Sequence, residues 1–129
     1  MPQQDYMNPE SMSKPSGYTQ VVKVDKTVYI AGQVSVTPDG QIVGKGDPEA
    51  QVRQVWNNIQ TAVQAAGGTL QNIVKTTTYV TNIDHAAAVR QVRESLFQGT
   101  HPPTSTLLVV SALAHPDYVV EIEAIAVVD

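Results

Sequence analysis

The segment Tyr118–Val128, YVVEIEAIAVV, constrains this chain more than any other. In an extended strand successive side chains point to opposite faces, so Val120, Ile122, Ala124, Ala126 and Val128 form one row. Val119, Glu121, Glu123, Ile125 and Val127 form the other. The first row is wholly apolar and demands a core. The second is still largely apolar, interrupted only by two carboxylates. A sheet built on such a strand needs helices over one face and a second subunit over the other, which predicts an oligomer.

The rest of the chain supplies the helices. Asp47-Pro48-Glu49 reads as a helix start: an N-cap, a proline whose missing N–H costs nothing there, and an acidic first turn. Val52, Val55, Trp56, Ile59, Ala62, Val63 and Ala66 then recur at three- and four-residue steps, and Gly67-Gly68 closes the helix. Asp84 is expected to cap a second helix running to about Phe97, with Val89, Val92, Leu96 and Phe97 turned inward and Gly99 ending it. Strands are expected at TQVVKV and TVYIAGQV, joined as a hairpin through Asp25-Lys26, and at NIVKTTTYVTNI and TSTLLVVSAL. TPDGQIVG reads as a turn with a short returning strand.

The order is ββ(β)αβαββ. Each helix has a single apolar stripe, so the expected architecture is α+β: a mixed sheet with both helices on one face. Residues 1–16 hold prolines, Ser, Gln and Asn in a composition that buries little, and are expected to form an irregular arm whose order would need a partner surface. Residues 17–129 are expected to form one domain, since 129 residues leave no room for a second ordinary core.

Composition narrows the function. The eight Lys and Arg are scattered and the net charge is −4, so no basic stripe faces nucleic acid. With no cysteine there is no thiolate nucleophile or Cys-based metal site, and the histidines lack metal-ligand spacing. No cofactor and no metal are expected. No run approaches the roughly 20 apolar residues that span a bilayer, and the N-terminus has no apolar core of a secretory signal. The expected location is the cytoplasm, with no membrane partner.

Gly17-Tyr18-Thr19-Gln20, Ala31-Gly32-Gln33-Val34, Gln51-Val52-Arg53-Gln54-Val55, Ile73-Val74-Lys75-Thr76-Thr77 and Glu121-Ile122-Glu123-Ala124-Ile125-Ala126 together resemble the YjgF/YER057c/UK114 family, the reactive intermediate deaminases or Rid proteins. The resemblance runs in order from about Gly17 to the C-terminus. It implies a chorismate-mutase-like fold, a homotrimer, and small-molecule clefts between subunits. It also implies hydrolysis of enamine or imine intermediates, such as 2-aminoacrylate, to a keto acid and ammonia.

The resemblance also assigns residues. Glu121 matches the cleft glutamate that positions or activates water, and Tyr18 matches the cleft tyrosine. Ala31 stands where Ser commonly precedes Gly32-Gln33, and Ala31 and Gly32 line the expected substrate site with Thr104, Ser105 and Thr106. Deaminating members read Pro-Ala-Arg-Ser around Thr104, and their Arg binds the substrate carboxylate. A threonine hydroxyl does not replace a bidentate guanidinium. Arg90, on the second helix where deaminating members often carry Asn, is the candidate replacement cation, and His101 or His115 could carry a proton. Two functions fit: a cofactor-free deaminase with altered substrate preference, or a non-catalytic small-molecule-binding or chaperone-like trimer.

Overall fold

The computed structural model describes residues 2–129. Six strands form one sheet: β1 (Gln4–Met7), β2 (Val21–Val24), β3 (Thr27–Gln33), β4 (Ile73–Val80), β5 (Thr104–Val109) and β6 (Val120–Val127), in the order β1-β2-β3-β6-β4-β5. All neighbours are antiparallel except β4 and β5. The sheet is therefore mixed, as the element order implies.

Two helices, α1 (Pro48–Ala65) and α2 (Ala86–Leu96), each link strands that run in the same direction. α2 joins the parallel pair β4 and β5. α1 joins β3 to β4, which run alike because β6 lies antiparallel between them. Crossovers of this kind take one hand, which lays both helices on the same side of the sheet. There α1 packs against β3, β6 and α2. The core lies between, with Val52, Val55, Ile59 and Val63 of α1 against Val120, Ile122, Ala124 and Ala126 of β6. Trp56 meets Phe97 edge to face at 5.5 Å between ring centres.

The caps explain the helix ends. Asp47 accepts from the Ala50 amide at 3.1 Å, and Gly67 sits at φ 88, in the left-handed region that ends helices. The second helix departs from the sequence reading. A 3-10 turn over Ile83–His85 precedes α2, and Asn82 caps that turn, accepting from the Asp84 amide at 2.8 Å, while His85 at the start of α2 makes no side-chain cap bond. Asp84 therefore lies inside the turn and not at the cap. The returning strand expected after Asp39-Gly40 is reduced to one bridge, Val36 with Ile42.

The first sixteen residues are not an irregular arm throughout. Gln4–Met7 pairs antiparallel with β2, and Met12 is buried in the core. The Gln20 amide donates to Asn8 Oδ1 at 2.9 Å and the Gln20 side chain to the Ser13 carbonyl at 3.0 Å. The surface that orders this segment is thus the chain's own β2 edge and the residues behind it.

Opposite the helices the sheet is open. Tyr29 and Val127 are exposed there, with Ile125 half-buried between them, as the second row of the C-terminal strand requires.

Candidate functional site

Glu121 is half-buried on the open face of β6. Across from it β3 loses register between Ile30 and Gln33, so that three steps on β3 match two on β6. This bulge brings Ala31 and Gly32 over Glu121. Gly32 leaves room for the carboxylate: a Cβ there would lie 2.9 Å from the Glu121 Cδ, so any larger residue displaces that side chain. The family-like Ala-Gly-Gln string thus has a steric reason for its glycine.

A cavity of about 600 Å3 opens beside this contact. Tyr18, Ala31, Gly32 and Glu121 all line it, so four sequence-predicted residues meet in one place. Val34, Val36 and Ala114 add apolar wall, and Tyr118, Ser13 and Lys14 complete the rim. The last three were missed from sequence because no local pattern places residues 13 and 118 beside residue 121.

Burial first, and the neighbouring Glu123 charge second, hold the Glu121 carboxyl above the usual carboxylate range. Glu123, two residues along the same face, is engaged elsewhere: it accepts from the Tyr79 hydroxyl at 3.0 Å. That bond first, then desolvation, raises the Tyr79 phenol above its ordinary value.

Buried amides fix the walls. Gln51, fully buried on α1, donates to the carbonyls of Gly44 (3.2 Å) and Asp117 (2.8 Å) and accepts from the Val119 amide (3.0 Å). It thereby pins the turn that carries Tyr118. His115 belongs to the same turn: its Nδ1 accepts from the Asp117 amide at 3.0 Å and its ring packs on Tyr118. Gln33 donates to Gln20 at 2.8 Å, tying β3 to the segment that bears Tyr18.

Thr104, Ser105 and Thr106 lie on β5, the far edge strand, and line none of the Glu121 cavity within one protomer. Thr104 is in register with Lys75, and its hydroxyl donates to the Val74 carbonyl at 3.1 Å. Ser105 pairs with buried Thr76, on the helix side, where Arg93 donates to its hydroxyl at 2.8 Å. Arg90 is exposed on α2, and α2 covers the face opposite Glu121. His101 is exposed in the loop before β5. Among the described residues no group of three His, Cys, Asp or Glu is placed to hold a metal. No helix is long and apolar enough to cross a membrane.

Residues 10–128 match the sequence model of the family described as Endoribonuclease L-PSP. The chain belongs to this family. Its relatives carry the Rid, RutC and YjgF names. A RutC family protein of Pyrococcus horikoshii is 36% identical over 118 residues, covering 91% of this chain and 92% of its own. The 2-iminobutanoate/2-iminopropanoate deaminase of Mus musculus is 39% identical over 111 residues, 85% of this chain and 80% of that one. Among solved structures, the Rid-family YyfA of Yersinia pestis superimposes with a TM-score of 0.91 at 35% identity, covering 98% and 100% of the two chains. The Escherichia coli YjgF product gives 0.87 at 32% identity, covering 95% and 98%. The Rid fold inferred from the sequence motifs is therefore the fold of this chain.

Proposed function

We propose that this Rid protein is a cofactor-free hydrolase of small reactive imines and enamines, acting in the Glu121 cavity. The carrying observation is a half-buried carboxyl held above its usual pKa in the same cavity as the Tyr18 phenol. A carboxyl raised in this way carries a proton over more of the range toward neutrality than a free one, which suits general acid-base work. Water adds to the imine carbon while Glu121 takes one of its protons and delivers it to nitrogen. The hydroxyl proton of the resulting carbinolamine then passes by way of Glu121 to nitrogen as the C–N bond breaks, so that ammonia leaves and the carbonyl forms. One water is consumed and nothing is oxidised or reduced. Tyr18 donates a hydrogen bond to the developing oxygen.

The assembly that completes this site is a homotrimer. The exposed apolar face around Tyr29, Ile125 and Val127 supports burial against another copy. The β5 edge with Thr104, Ser105 and Thr106 is the part of a neighbouring copy that closes the cleft. The family's endoribonuclease description finds no support in charge: at −4, with scattered cations, the chain offers RNA a repulsive field. The relatives named as imine deaminases favour the hydrolytic reading.

The test generates a small 2-imino acid in situ with an amino acid oxidase and follows keto-acid release. Acceleration by the protein that disappears in Glu121→Gln is expected. Release at the spontaneous rate for both carboxylate-bearing and neutral imines would sink the hydrolytic reading and leave the ligand-binding one.

A further inference from the structure

We infer that Asn58, a side-chain amide on α1 outside the Glu121 cavity, is a positioning residue that fixes the spacing of two wall segments of that cavity, which receive an apolar side chain about as long as that of leucine. That such a ligand is hydrolysed rests on the reading above; that Asn58 spaces the walls does not.

Both wall segments lie outside the sheet. β3 ends at Gln33, and the chain then turns so tightly that the Val36 amide donates to the Val34 carbonyl at 2.9 Å. Val34 and Val36 line the cavity from this turn, held by a single bridge, Val36 to Ile42, in place of a ladder. Ala114 and Tyr118 line it from the segment before β6.

Asn58 supplies what the ladder does not. Its Nδ2 donates to the Val34 carbonyl at 3.0 Å and to the Val36 carbonyl at 3.1 Å, committing both N–H groups to one turn. Its Oδ1 accepts from Gln54 at 2.9 Å, which orients the amide with its nitrogen toward those carbonyls. Two turns earlier on the same helix, and so on the same face, Gln51 holds the Asp117 carbonyl and the Val119 amide on either side of Tyr118. One helix thus holds both wall segments through side-chain amides. That helix is anchored in the core, where Val52, Val55, Ile59 and Val63 are fully buried. Neither Asn58 nor Gln51 lines the cavity, so each acts through the backbone it holds.

The chemistry of the walls decides what they take. Val34, Val36 and Ala114 present methyl groups, and the Tyr118 ring is backed by His115 at 5.2 Å between centres. A branched alkyl group buries methyls against such walls that a shorter one lacks, and each is worth about a tenfold preference or more. A displaced wall forfeits that preference.

The test compares wild type, Asn58→Asp, Asn58→Leu and the core control Ile59→Val. Asn58→Asp keeps the shape with an oxygen in place of the donor, Asn58→Leu removes the donor without adding charge, and Ile59→Val loosens the same helix in the core. Each protein meets the imines that an amino acid oxidase makes from 2-aminobutanoate and from leucine, with semicarbazide as a competing trap. The readout is the ratio of kcat/KM for the two imines. In both Asn58 variants the preference for the leucine-derived imine is expected to fall about tenfold, while Ile59→Val leaves it unchanged. Equal losses on the two imines, an unchanged ratio, or the same fall in Ile59→Val would reduce Asn58 to a stabilising residue and overturn the proposal. Ligand-detected NMR with 2-oxobutanoate and 4-methyl-2-oxopentanoate, the keto acids of those imines, needs no turnover. Tighter binding of the longer acid that is lost in both Asn58 variants supports the positioning role even where no imine is hydrolysed, an outcome that sinks the hydrolase alone. Hydrolysis whose ratio ignores both Asn58 variants sinks the positioning role alone. No preference for the longer acid in wild type overturns the assigned side chain.

Discussion

The Tyr79 hydroxyl donates to the Glu123 carboxylate at 3.0 Å, two residues along β6 from Glu121 on the same face. The bond holds one of the two carboxylates in place, and the charge of that carboxylate is one reason the other resists ionisation. Because the phenol stays protonated past its ordinary value of 10.0, the stabilisation it provides is present below that pH and is lost as pH climbs through the folded value. In absorbance titration at 295 nm, Glu123→Gln should bring the Tyr79 phenol down in pH relative to wild type. An unchanged titration curve in Glu123→Gln would disprove the coupling.

Replacing Glu121 should separate chemistry from stability. A carboxyl raised above 4.5 in the folded state costs stability as pH rises through its folded value, and costs nothing below 4.5, where both states are protonated. Glu121→Gln should therefore melt higher than wild type near pH 7 and at the same temperature near pH 4. Imine hydrolysis should fall by about a hundredfold or more, the scale of a lost general acid-base. A variant less stable than wild type at pH 7 would contradict the assigned cause.

Gly32 and Glu121 should behave as one unit. Gly32→Ala forces the carboxylate aside, because the new methyl needs its space. Activity falls and so does the melting temperature. In Gly32→Ala combined with Glu121→Ala the clash is gone, so the double variant should be more stable than the sum of the singles predicts, by about 1 kcal/mol. Additive unfolding free energies would show that the two side chains do not meet.

Gln51→Leu removes three hydrogen bonds to backbone groups, among them the Asp117 carbonyl and the Val119 amide. Shape is roughly kept while buried polar groups lose their partners, so the loss should be about 3 kcal/mol in denaturant unfolding. The turn bearing Tyr118 is released as well, and KM for the imine should rise. Stability within the error of wild type would show that water replaces the amide at no cost.

Much of the fold was legible because the signals were periodic. The stripe from Val52 to Ala66, the alternation through Val128 and the Asp25-Lys26 hairpin all state their structure locally. β1 was not legible, since Gln4–Met7 is almost wholly exposed and gains its order from hydrogen bonds to β2, leaving no burial pattern to read. Asp84 does not cap α2 because Asn82 caps a 3-10 turn over Ile83–His85 first, and His85 then leads into α2 with no side-chain cap bond. Half of the site followed from motifs: Tyr18, Gly32 and Glu121 do converge. Lys14 and Tyr118 did not follow, because a buried amide network brings them in from distant parts of the chain.

Strand β4 also shifts register against β6, with a consequence for how this chain can change in length. Between Ile73 and Lys75, β4 spends two steps where β6 spends one, so Val74 is a surplus position with no opposite number. Its removal would leave Thr76, Thr78 and Val80 pointing inward and Lys75, Thr77 and Tyr79 outward, as they now stand. What would go is the carbonyl that holds the Thr104 hydroxyl. Shortening the strand at that point would spare inside and outside alike and loosen only the seam with its parallel neighbour, whereas a residue lost one turn of the pleat later would exchange the two faces.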